Sequence, residues 1–187
     1  MVAKMSYEKK FELALSKTLE IFGEAESVSF NLNNRYISEK PLMELFKKVC
    51  ESAKSKGIKL AGNCTTIHWN AVDELSEKLN CKVYFTVGYV VDAGHEYFKF
   101  TYEDVKEWIH SGQHSKKVML HAWLTLDSME IIDFTYGSTR ADMHPNLKHL
   151  DRTLVALPPE EQDEGFHYIP MIVKDDFLFR IQAYDYK

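Results

Sequence analysis

A basic excess, paired cysteines and long apolar runs are all missing from this chain. Lysine and arginine number 23 against 28 aspartates and glutamates among 187 residues, a formal net charge of -5. The lysines are scattered among acids, with no basic stripe of the kind that grips a phosphate backbone, so nucleic acid is not an expected partner. No apolar run approaches the roughly 18 residues that a membrane helix needs, so a membrane is not an expected partner either. Charges interrupt the opening MVAKMSYEKKFELAL, where a signal peptide needs an unbroken apolar stretch. The expected location is therefore the cytoplasm. Cysteine occurs only at Cys50, Cys64 and Cys81, an odd number too widely spaced for a disulfide framework or a CxxC metal pair, so three reduced thiols are expected. Internal repeats and low-complexity linkers are also missing. With 45% hydrophobic and 13% aromatic residues, the chain has enough apolar material for one core, and a single domain over 1–187 is expected.

Periodicity gives a coarse map of what is there. Phe11, Leu15, Leu19 and Phe22 recur at helical spacing over Tyr7 to Phe22, between a capping Ser6 and a stopping Gly23. Leu42, Leu45, Phe46, Val49 and Ala53 mark a second helix that Ser38 can cap and Gly57 can end, with Cys50 bordering the stripe. A third helix is predicted from Cys64 to Leu79, with Ile67, Ala71, Val72, Leu75 and Leu79 inward. CKVYFTVGYVV then alternates as a half-buried strand with Cys81 on its apolar side. Thr101 and Asp104 form a capping box before a short helix that ends near Gly112. KVMLHAWLTL and MEIIDFTYG read as strands of a hairpin that turns at Asp127-Ser128. LPPEEQDEG reads as an acidic loop. FHYIPMIV and FLFRIQAYDY read as two more strands joined through Lys174-Asp175-Asp176. Helices first and an antiparallel sheet after them make the expected class α+β.

Within that map, GNCTTIHWN places a cysteine behind a Gly-Asn break at the start of a helix. A free thiol is only a few per cent thiolate at neutral pH, but the unpaired N–H groups of a helix start and a neighbouring imidazolium both favour the anion. His121 and Asp133 fall on the two strands of the predicted hairpin, where a turn at residues 127 and 128 sets them almost opposite one another, so the carboxylate can orient the ring. Cys64, His121 and Asp133 are thus candidates for one constellation of nucleophile, base and orienting acid. The rival reading makes Cys64 a small buried hydrophobe, His121 a strand histidine satisfied by a carbonyl, and Asp133 a surface acid beside a turn. Alternation argues against the last, because Ile131, Asp133 and Thr135 share one face. Trp123 shares a face with His121 and can wall the site, whereas Trp69 and Trp108 are expected in the core. A second rival joins Cys64 and His68, one turn apart, to His114 or His121 around a metal, but no second Cys/His pair stands at zinc spacing.

GNC at a helix start, a helix-strand unit closing in Gly88-Tyr89-Val90, HAWLTL and then IIDFTYG follow one another from Leu60 to Gly137. In that order they resemble the transglutaminase-like branch of the papain-like thiol enzymes, most distinctively in HAW and in Asp133-Phe134-Thr135. The resemblance implies a papain-like core over 60–137, with N-terminal helices, a nucleophile at a helix start and an antiparallel sheet. It makes Cys64 the nucleophile, His121 the base and Asp133 the orienting acid. The Cys64 backbone N–H becomes one oxyanion donor. Asn63 is the candidate for the second, since no counterpart of the papain-type glutamine stands upstream. The implied chemistry is acyl transfer through a thioester, with no cofactor or metal and a peptide or protein as substrate. Hydrolysis of a peptide or glutamine amide is the first expectation, because water is always available; amine cross-linking and acyl transfer from a thioester donor use the same triad. The competing class is a binding module or effector that keeps the fold while its cysteine is silent.

Overall fold

The computed structural model describes residues 5–37, 39–112, 118–162 and 165–183. In chain order its elements are α1 (Tyr7–Phe22), α2 (Glu39–Ser55), α3 (Cys64–Trp69), α4 (Val72–Leu79), β1 (Val83–Asp92), β2 (His95–Tyr97) and α5 (Tyr102–Ser111). They continue with β3 (His121–Leu126), β4 (Ile131–Asp133), α6 (Tyr136–Met143), β5 (Val155–Leu157), β6 (Phe166–Val173) and α7 (Phe177–Arg180). The chain is α+β, and its strand pairs are antiparallel. Two compact units emerge: Met1–Ser27 with Thr86–His121 and Gln162–Lys187, and Val28–Phe85 with Ala122–Glu161. No helix among the described residues is long and apolar enough to cross a membrane.

In the first unit α1 starts and stops where its caps dictate. The Ser6 side chain accepts from Lys9 N, and Gly23, at φ 74, donates its N–H to Leu19 O. The inward face differs from the expected apolar stripe: Tyr7, Phe11, Ala14 and Thr18 are buried, whereas Leu19 is 53% exposed. Thr18 takes an inward position because its hydroxyl is satisfied there, donating to Ala14 O at 2.8 Å and accepting from Val173 N at 3.0 Å on β6. A buried polar group with partners is tolerated, and this one rotates the helix face away from the apolar count. β6 pairs with β1 from Thr86↔Val173 to Asp92↔Phe166, with an irregularity between Val87 and Gly88 beside Pro170. The irregularity accommodates a residue that cannot donate to the ladder. β1 itself is not half-buried throughout. Tyr84, Phe85, Thr86 and Val87 are all buried, so both faces are covered over the first half of the strand, while Tyr89 and Val91 are half-exposed on either side of buried Val90, and Cys81 lies ahead of the strand. The capping box of α5 forms as predicted, with Thr101 and Asp104 bonding reciprocally.

The last expected strand, FLFRIQAYDY, is a helical turn over the part that is described, with 184–187 outside the described residues. Phe179 N and Arg180 N both donate to Asp176 O at 3.0 Å, and Arg180 Nε donates to Asp176 Oδ2 at 2.8 Å. These local bonds use the donors that a strand would have offered a neighbour. Every apolar residue in the run suits either period, and Phe177, Leu178 and Ile181 are the ones that turn inward.

In the second unit α2 buries Leu42, Leu45, Phe46 and Ala53 as expected, while Ser38, its expected cap, lies outside the described residues. The single helix expected from Cys64 to Leu79 is two helices broken at Asn70-Ala71. The Asn70 amide donates to Thr66 O at 2.7 Å, and Ala71 N bonds back to His68 O, three residues away. An asparagine that competes for backbone carbonyls ends a helix. The β3–β4 hairpin also turns later than expected: Leu126 N donates to Glu130 O, Met129 stands at φ 66, and Leu124 pairs with Ile132 and Thr125 with Ile131. Continued one step, this register sets Trp123 opposite Asp133, the place expected to be close to His121. β4 ends at Asp133 and pairs with β5, and the following residues, read as strand, enter α6. Behind the hairpin the buried Glu130 carboxylate receives Tyr36 N, Ile37 N and the Ser128 hydroxyl, which pins the segment leading to α2.

Candidate functional site

Cys64 is the first residue of α3 and is 8% exposed. The loop that delivers it is tightly laced. Gly62 adopts φ 72, which favours glycine, and its N–H faces Thr139 Oγ1 at 3.4 Å. Asn63 Nδ2 donates to Lys59 O at 2.9 Å and to Ala61 O at 3.3 Å. The side-chain amide of Asn63 is therefore spent on holding the loop, and of the expected oxyanion donors the backbone N–H of Cys64 is the one placed at the helix start.

Asp133 closes β4 and is fully buried. One carboxylate oxygen accepts from Thr135 N at 2.8 Å, from the Thr135 hydroxyl at 3.1 Å and from Tyr136 N at 3.0 Å. These bonds turn the chain out of the strand and into α6, and they fix the orientation of the carboxyl plane. The turn holds because Gly137 follows it: a Cβ there would stand 2.6 Å from Leu150 O and overlap the Thr153 hydroxyl.

Between these two residues stands one that the sequence offered only as a metal ligand. His68 is fully buried, with Nδ1 2.7 Å from Cys64 O and Nε2 accepting from Phe134 N at 2.9 Å. An accepting Nε2 leaves the proton on Nδ1, so the ring is the neutral tautomer that donates to the Cys64 carbonyl. Asp133 Oδ1 lies 3.4 Å from Nε2, close by but without a proton to share in that tautomer. The ring stacks on Phe134 at 5.5 Å, and Phe134 stacks on Phe46 at 6.0 Å. Both ring nitrogens are thus engaged in joining α3 to the end of β4, which removes His68 from the metal reading; His114 lies outside the described residues. The signal for this role was the four-residue spacing from Cys64, which sets the ring over the Cys64 carbonyl.

His121 belongs to the first unit and is 1% exposed. Its ring stacks on Phe98 at 5.6 Å and 24° and tilts against Tyr168 at 6.4 Å. Phe98 holds φ 66, a left-handed conformation costly for an aromatic residue and one that concentrates at functional sites. No pattern in the sequence announces it. Trp123 is fully buried in the second unit. Of the expected triad, then, Cys64 and Asp133 share a unit and are joined through His68, while His121 is held by aromatic rings in the other.

The two remaining thiols differ from a reactive one. Burial pushes the Cys50 thiol up, against a smaller pull from Arg152. Burial, with Asp127 and Glu130 adding to it, pushes Cys81 up to about 12. Comparison with known proteins gives no match to a family model, to a curated protein or to a solved structure.

Proposed function

We propose that the chain is a cysteine-dependent acyl-transfer enzyme with a papain-like, transglutaminase-like core, acting first of all as a hydrolase of a peptide or glutamine amide. The observation that carries this reading is the His68 bridge, which ties the backbone carbonyl of Cys64 to the backbone beside Asp133 and so holds these two residues close in one unit. His68 itself is unsuited as the base, because the lone pair on Nε2 is taken by Phe134 N–H. That role falls to His121. The Phe98 conformation over the His121 ring supports it, since backbone strain persists where surrounding structure has a use for it.

In the proposed cycle His121 takes the thiol proton, and the Cys64 thiolate attacks the amide carbonyl carbon. The developing oxyanion is met by the Cys64 backbone N–H. The imidazolium returns its proton to the leaving amine as the C–N bond breaks, which leaves a thioester. His121 then deprotonates a water that attacks the thioester, and the acid departs as the thiol is restored. A cytoplasmic setting, where thiols stay reduced, suits this chemistry. The test is a covalent trap: protein incubated with a mixture of peptide and acyl donors, then measured by intact mass. An acyl adduct on Cys64 that Cys64→Ala abolishes is expected. Absence of any adduct from the folded parent would favour the silent module.

A further inference from the structure

The second unit contains a cavity of about 370 Å³, away from the Cys64 side chain. It is bounded by the end of α2, the loop from Gly57 to Ala61, α6 and the segment from Lys148 to Arg152. Its rim carries Lys54, Lys59, Lys148 and Arg152, four cations, against two carboxylates, Asp142 and Asp151. The cavity thus has two more positive than negative groups in a chain whose net charge is -5. Among the described residues none of the four cations has a carboxylate within 4.0 Å. All four cations reach solvent, and the two carboxylates balance only half of their charge, so an excess of positive charge is left that a bound anion would offset.

Arg152 adds a second observation. It stands at φ 57, a left-handed backbone, and its N–H is fixed to Ser138 Oγ at 2.8 Å. The chain adopts this unfavourable conformation at the residue whose guanidinium can take a phosphate in two parallel bonds. Its charge is felt at Cys50, a half-buried thiol in the cavity wall. Ala53, Ile58 and Leu60 give the cavity an apolar side for a carbon skeleton, and Asp142 and Asp151 offer acceptors for hydroxyl groups. The volume is in the range of about 300–1,000 Å³ typical of small-ligand sites.

We infer that this cavity binds a small phosphate ester bearing hydroxyl groups, with the phosphate on Arg152 and its neighbouring lysines. The inference does not depend on acyl transfer, and Cys50 supplies a readout separate from Cys64. Iodoacetamide labelling of the full chain at about pH 9, where thiols begin to ionise, is followed at Cys50 by peptide mass spectrometry with glycerol 3-phosphate, glycerol or citrate present. Glycerol 3-phosphate should slow Cys50 labelling at least threefold, with glycerol and citrate leaving it unchanged. Arg152→Gly combined with Lys148→Gln should abolish the protection, and since glycine suits φ 57 the variant should stay folded by thermal melting. Labelling of Cys50 that ignores glycerol 3-phosphate overturns the site, and so does protection that survives in the folded double variant. Equal protection by citrate overturns the phosphate assignment.

Discussion

Cys50, Cys64 and Cys81 carry the same group in three different surroundings, and that difference can be measured directly. Burial raises the first and third, so both should be almost wholly protonated and slow toward iodoacetamide at pH 6 to 7. Cys64, with His121 as its proposed base, should label faster than either. His121→Ala should slow Cys64 alone; a rate at Cys64 no higher than at the other two, or one indifferent to that change, removes it as nucleophile. Asp133 permits a second measurement. Asn keeps the Oδ1 that accepts from Thr135 and Tyr136, so Asp133→Asn should fold, while the lost charge costs turnover at least tenfold, roughly 1.4 kcal/mol. A rate within about threefold of the parent, with unchanged unfolding, detaches Asp133 from the chemistry. At this scale the residue types at Cys64 and Asp133 were legible because their neighbours, Gly-Asn and Thr135, are local in sequence. The role of His68 was not legible because its second partner, Phe134 N, lies just past the end of β4, 66 residues away, and the strain at Phe98 leaves no compositional trace.

Among the elements, those that the sequence announced are the ones closed by their own side chains. Ser6 and Gly23 bound α1, and Thr101 with Asp104 opens α5, in each case through bonds to residues three or four positions away. Thr101→Ala should therefore cost about 1 kcal/mol in urea unfolding, the usual worth of such a cap, and an unchanged midpoint would count against the box. The misread elements depend on partners remote in sequence or on one decisive polar group. α6 follows β4 because Asp133 turns the chain and because Gly137 leaves room for Leu150 O. Neither fact has a period, so IIDFTYG reads as strand to its end. The hairpin register moved for a similar reason: Asp127-Ser128 is a good turn dipeptide, but Ser128 Oγ is drawn to the Glu130 carboxylate, and the reversal extends through Met129. Gly137→Ala should destabilise by about 1–3 kcal/mol, the cost of overpacking. Thr153→Ala in the same chain should recover part of it, because the added methyl would meet the Thr153 hydroxyl. If Gly137→Ala is neutral, the close approach is not what seats α6.

For the molecule as a whole, the titrating groups that depart upward share one consequence at alkaline pH. Burial pushes Cys81 in the second unit and Tyr102 in the first to about 12. Burial alone would lower Lys174, but hydrogen bonds to Asp176 and Glu24 more than offset it and raise the ammonium. For each, the folded state holds its proton to a higher pH than the unfolded chain. Above the ordinary thiol value of 9.0 the unfolded chain begins to lose protons that the folded one keeps, so stability falls as pH rises toward 12. The contribution is intact at pH 8. Urea midpoints measured at pH 8 and about pH 10.5 should therefore drop in the parent. Cys81→Ala carries a constant cost from its lost packing at both pH values, yet its drop between them should be smaller, because one of the protons responsible has been removed. Tyr102→Phe should flatten the profile in the same way at the upper end of the range. Parallel profiles for parent and both variants would mean that neither group holds its proton more tightly in the folded state, and the alkaline sensitivity would then rest on lysines such as Lys174, whose ion pairs salt should weaken.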